Sequence, residues 1–174
     1  MPSPETSTAG PSANGPGPGT IPDLARRYWD GVLAASPTSA TLLGIHDHDD
    51  RLEDLSVEAD DRRHAELTAL VHGLEEATPT GDAERVTAAL LGHQLRTELD
   101  AIDMRLAEMA RAAMVGAHAE LLMAVPQLTY PTARDAEAAL VRYQQVPRLL
   151  GQALDRFRDG LAAGRTPGNV CPRR

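Results

Sequence analysis

The residues best equipped to do chemistry lie in one short run, His46-Asp47-His48-Asp49-Asp50. Drawn out as an extended segment, it would project His46, His48 and Asp50 to one side, giving nitrogen and oxygen ligands suited to Zn²⁺ or another divalent ion. A metal site also needs a fourth ligand, fixed geometry and outer partners that orient the imidazoles. The plainer reading, which we prefer, is a solvated acidic loop that stops one helix and starts the next. Two further histidines can be tried against the zinc-protease helix, which needs two His four residues apart with a Glu beside the first. His64-Ala65-Glu66-Leu67-Thr68 and His118-Ala119-Glu120-Leu121-Leu122 place Glu two positions after His and supply no second His, so both read as helix residues. Cys171 has no neighbouring His, and Ser36, Ser39 and Ser56 stand at helix starts, where capping explains them. The adjacent carboxylates Asp60-Asp61 and Glu75-Glu76 diverge by about 100° on a helix and read as solvated faces. No G-x-S-x-G, phosphate loop or dinucleotide fingerprint occurs. No catalytic residue is therefore assigned, and His46, His48 and Asp50 are kept as weak metal candidates.

The elements that would position these residues are legible from composition and period. At 174 residues the chain is long enough for one domain, with 42% hydrophobic but only 3% aromatic residues, so its core must be Leu, Ala, Val and Met. That palette favours packed helices over a sheet. A formal charge of −8 without a basic stripe argues against a nucleic-acid partner. All the basic residues are Arg and none is Lys, scattered along the helices rather than clustered. A single cysteine rules out an intramolecular disulfide. The N-terminus lacks the basic and apolar regions of a signal peptide and no apolar run is long enough to span a membrane, so a cytoplasmic protein is expected.

Residues 1–19 are Pro, Gly, Ser and Thr without a periodic apolar residue, and a disordered tail is expected there. A helical domain over 20–167 and a frayed tail over 168–174 complete the expected division. The entry helix starts near Thr20-Ile21-Pro22-Asp23, with Leu24, Tyr28, Val32 and Ala35 on one stripe. A short helix follows from Ser36-Pro37 and ends at Gly44. Ser56 caps a third, about 57–77, with Leu67, Leu70, Val71 and Leu74 at i, i+3, i+4 and i+7. From Asp82, the residues Leu91, Leu95, Leu99, Ile102, Leu106, Met109 and Ala113 form a seam that predicts one long helix, with Arg85, Arg96, Glu98, Asp100, Arg105 and Glu108 on its solvated faces. Ala119 to Val125 is helical in composition, Pro126 and Pro131 force a turn, and Thr132 with Asp135 begins a further helix to about Gln145. Val146-Pro147 starts the last, with Leu150, Leu154, Phe157 and Leu161 on one face and Gly164 as its cap. The expected fold is all-α, an antiparallel, bundle-like array of six or seven helices. Met104, Met109, Met114 and Met123 read as core filler, and apolar helix faces left uncovered offer a route to self-association.

The same residues carry a resemblance. Tyr28-Trp29, Pro37-Thr38-Ser39-Ala40-Thr41, Leu43-Gly44-Ile45-His46-Asp47 and Arg51-Leu52-Glu53-Asp54-Leu55-Ser56, in that order, are similar to the N-terminal signature of the domain of unknown function 885 family of bacterial proteins. The second half extends it through Pro126, Thr132, Asp135-Ala136-Glu137, Arg142-Tyr143, Val146-Pro147 and the Gly160 to Pro167 exit, so the likeness spans roughly 20–170. The resemblance implies a largely helical protein several times longer, similar to zinc metallopeptidases through an H-E-x-x-H motif in a C-terminal half that this sequence does not contain. The expectation that follows is a truncated helical scaffold segment, inactive by itself, with zinc belonging only to a full-length relative. The alternative is a stand-alone helical module that binds itself or another protein.

Overall fold

A computed structural model describes residues 19–109 and 117–165. Among these residues every regular element is helical, and the fold is all-α. The seven α-helices are α1 (Ile21–Ala35), α2 (Pro37–Leu42), α3 (Val57–Glu76), α4 (Asp82–Asp103), α5 (Ala117–Ala124), α6 (Ala133–Tyr143) and α7 (Val146–Ala162), with 3-10 turns at Leu106–Glu108 and Val125–Gln127. The expected tail over 1–19, apart from Gly19, and the expectations for Ala113, Met114, Pro167 and Cys171 fall outside the described residues.

Capping residues place the helix starts. The Thr20 hydroxyl accepts from the Asp23 amide to open α1, Ser56 accepts from Ala59 to open α3, and Thr132 with Asp135 forms a reciprocal capping box at α6. Gly44 and Gly164 take positive φ, of 79° and 73°, to close α2 and α7. At both ends an amide further on reaches back, Ile45 to the Ala40 carbonyl and Arg165 to the Gly160 carbonyl.

The apolar core lies among α1, α3 and α4. Leu24, Leu67, Leu70, Leu91 and Leu95 form its buried centre, with Tyr28, Val71, Leu74, Leu99 and Ile102 packed around them. Each helix brings one stripe, and burying each leucine contributes about 1.5–3 kcal/mol. On α3 and α4 these are the residues that periodicity selected.

Two readings of the second half need correction. The seam from Leu91 does not continue as one helix to Ala113: α4 stops at Asp103, Arg105 turns left-handed at φ 52°, and a 3-10 turn follows. The cause lies at the end of that turn, where Glu108, expected on a solvated face, is 1% exposed and bound by Arg165. Helix α7 is also rotated from the expected orientation. Leu149, Arg156 and Gly160 face inward, while Leu150, Leu154 and Leu161 are exposed. The helix packs against the 3-10 turn at Leu106–Glu108 and against α5, and polar ties reach from it to the Glu53 carbonyl and to Asp60 of α3.

Candidate functional site

The loop between α2 and α3 is a chain of tight turns, not an extended strand: the Asp49 amide reaches the His46 carbonyl at 3.4 Å and the Arg51 amide the His48 carbonyl at 3.1 Å. That curvature separates the three metal candidates. His46 Nδ1 lies 2.8 Å from Asp49 Oδ2, His48 pairs with the Arg51 guanidinium, and the exposed Asp50 has its carboxylate 4.0 Å from Arg51. Among the described residues no three His, Cys, Asp or Glu side chains converge as a metal site would require. Held apart in this way, His46, His48 and Asp50 do not form a zinc ligand set. His64 pairs with Asp103 at 3.3 Å across α3 and α4.

The loop instead closes around Arg142, a residue sequence reasoning placed only on a helix. Arg142 is fully buried. Its Nε donates to the Arg51 carbonyl at 2.8 Å, and one terminal nitrogen donates to Thr41 Oγ1 at 2.8 Å and the His48 carbonyl at 2.9 Å. The same nitrogen lies 3.4 Å from both the Pro37 carbonyl and Asp49 Oδ1. The other, Nη1, is buried without a hydrogen-bond partner among the described residues. Asp49, 2% exposed, also accepts the Thr41 hydroxyl at 2.5 Å. A planar guanidinium can serve several acceptors at once where an ammonium could not. One side chain on α6 thereby fixes the C-terminal end of α2 and the whole acidic loop. Beside it the Tyr130 and Tyr143 hydroxyls share a 3.0 Å hydrogen bond. Burial, then the bond to Tyr143, pushes the Tyr130 phenol up to about 12.

Polar ties continue along α7. Gln145 donates to the Asp50 carbonyl, Gln152 accepts the Leu55 amide, and Arg148 donates to the Leu52 and Glu53 carbonyls. Arg156, 4% exposed, closes on Asp60 of α3. A cleft of about 720 Å³ opens between these ties and the core helices, lined among others by Gly31, Ala34, Asp54, Arg63 and Arg148. Its rim charges are matched within the chain: Arg63 grips Glu98 at 2.7 Å and lies over Tyr28, and Arg62 and Arg148 share Asp54.

Glu108 is a second buried anchor. Arg165 Nε donates to it at 2.6 Å and Arg105 at 3.2 Å. Burial raises its carboxyl pKa, but the bonds and charges of the two arginines outweigh that and hold it below the ordinary value. Above the unfolded carboxylate pKa of about 4.3 its contribution is complete, and it is lost as pH falls through the lower folded value. Glu108→Gln is expected to cost about 1 kcal/mol at pH 7, a modest figure because both arginines are partly exposed. Urea unfolding at pH 7 and pH 3 checks this: the gap to wild type should narrow at the lower pH.

The class this geometry defines is an all-α protein in which Arg142 of α6 holds the loop after α2. It belongs to the family described as bacterial protein of unknown function (DUF885), whose model matches residues 37–171. Comparisons with curated proteins and with solved structures find no match. The matched span includes every residue around Arg142. The Arg142-Tyr143 pair was visible in the sequence as part of the likeness to that family, and nothing there marked its arginine as buried. Glu108 left no signal, since its partner Arg165 lies 57 residues away.

Proposed function

We propose that this chain is a helical scaffold segment of a metallopeptidase-like protein, shaping one wall of a cleft while the metal site and general base belong to an H-E-x-x-H-bearing half. The observation that carries the reading is the Arg142 hub: the side chains closest to a ligand set are spent on internal bonds that fix the loop. Matched rim charges around the 720 Å³ cleft support it too, because they stiffen a wall without leaving a spare acid or base. No residue of the chain is assigned to zinc. The purified chain, incubated with Zn²⁺ and a mixed peptide library and analysed by mass spectrometry, should produce no cleavage above a metal-free control. Chelator-sensitive cleavage that copurifies with the chain through two columns would overturn the proposal.

A further inference from the structure

We propose that the 720 Å³ cleft binds a small zwitterion of dipeptide length, its carboxylate toward the loop after α2 and its ammonium toward α3 and α4. Taken over the whole cleft the charges balance, but among the described residues they are unevenly placed. Where the loop approaches α7, Arg51, Arg62 and Arg148 line the cleft and only two carboxylates answer them: Arg62 and Arg148 share Asp54 at 3.1 and 3.6 Å, and Asp50 stands 4.0 Å from Arg51. Between α3 and α4 the balance reverses. There Arg63 serves both Glu66, at 3.4 Å, and Glu98, at 2.7 Å. Asp60 is taken by Arg156 and adds to neither side. One end of the cleft is thus net positive and the other net negative, which complements a ligand carrying one charge of each sign.

Spacing sets the length of that ligand. Arg62 and Glu66 stand one turn apart on α3, about 6 Å along its axis. An extended dipeptide separates its ammonium nitrogen from its carboxylate carbon by roughly the same distance, one Cα-to-Cα step with a bond at either side. Both ends have capacity to spare. A guanidinium carries five N–H donors, and Arg62 spends one terminal nitrogen on Asp54, so a second carboxylate can be taken without releasing the first. Glu66 accepts through Oε2 alone among the described residues. The middle of the cleft suits a peptide backbone, because Gly31, Ala34, Ala35 and Ala101 line it with nothing larger than a methyl group. Gly31 has a further use: a Cβ there would run into the Arg63 guanidinium and push it off Glu98. Both ends are built from this chain's own residues, and the proposal does not rest on the scaffold reading.

Titration of the isotope-labelled full chain with alanylalanine, followed by amide shifts in NMR at neutral pH and low salt, tests it. Saturable shifts are expected at Gly31, Arg62 and Ala101. Acetylating the amine or amidating the carboxylate removes one charge, and each should weaken binding roughly tenfold. Two variants tie each charge to its end of the cleft. The Arg62 and Glu66 side chains are 64% and 62% exposed, so Arg62→Gln and Glu66→Gln should fold as wild type does, with circular dichroism as the check. Arg62→Gln should become indifferent to amidation and stay sensitive to acetylation; Glu66→Gln should do the reverse. Absence of saturable shifts at millimolar ligand would overturn the site. A cap at either end that leaves wild-type affinity unchanged would overturn the zwitterion, and variants that bind and respond to both caps as wild type does would place the ligand elsewhere and overturn the assignment.

Discussion

Replacing Arg142 by alanine is expected to remove about 3–5 kcal/mol of stability, the cost of breaking a buried charged pair by deleting one member. Domains are held by only about 5–15 kcal/mol in total, so the midpoint of urea unfolding should fall by about a fifth or more. The loss has an identifiable composition. Without the guanidinium, the Asp49 carboxylate stays 2% exposed with only Thr41 and His46 to answer it, and the Pro37, His48 and Arg51 carbonyls lose a donor. The Asp49 contact is itself slack at 3.4 Å, whereas two of the three carbonyl contacts are 2.9 Å or shorter. Much of the effect should therefore come from the loop backbone rather than from the ion pair. Two variants separate the parts. Arg142→Lys keeps the charge but cannot reach several acceptors at once, and should recover little. Arg142→Met combined with Asp49→Leu removes both charges, and should be more stable than Arg142→Met alone while remaining below wild type. A double variant no better than the single would mean that Asp49 plays no part, and the hub would be a carbonyl clamp only.

What was legible in the sequence, and what was not, divides along the physics of this hub. Helix starts at Thr20, Ser56 and Thr132 depend on residues three positions apart, and the glycines at 44 and 164 on their own backbone angles, so local reading found them. The core stripes on α3 and α4 follow from period alone. Arg142 meets its acceptors across 91 to 105 residues, and nothing local distinguishes a buried arginine from a solvated one. The acidic run is the loop it was read as, and what local reading missed is Asp49, whose burial between His48 and Asp50 goes with turns that point the neighbours apart. On α7, three of the four residues that hydrophobicity chose, Leu150, Leu154 and Leu161, are exposed, because much of what holds the inward face is polar. A stripe of leucines marks the core only where the opposing element is apolar, and here the opposing loop and turn are rich in carbonyls and carboxylates.

That polar packing makes Gly160→Ala the second substitution expected to hurt, by a net of roughly 1–2 kcal/mol. A Cβ at this position would lie 2.8 Å from Glu108 Cβ and 2.9 Å from the Glu108 carbonyl oxygen, with the Arg165 carbonyl at 3.4 Å. Forcing a methyl into a filled site costs about 1–3 kcal/mol, from which the better helix propensity of alanine returns up to about 1 kcal/mol. The obstacle cannot simply swing aside. Two of the three contacts are backbone or Cβ atoms of Glu108, whose carboxylate is held by Arg165 and Arg105, and Arg105 itself sits in the left-handed conformation that begins the turn. Gly151→Ala provides the control within the same helix, because a Cβ there meets nothing within 4 Å. It should gain up to about 1 kcal/mol from propensity alone. Urea unfolding of the two variants side by side should move the midpoints in opposite directions. Equal shifts would mean that the turn yields to α7, and that Glu108 follows the helix instead of fixing it.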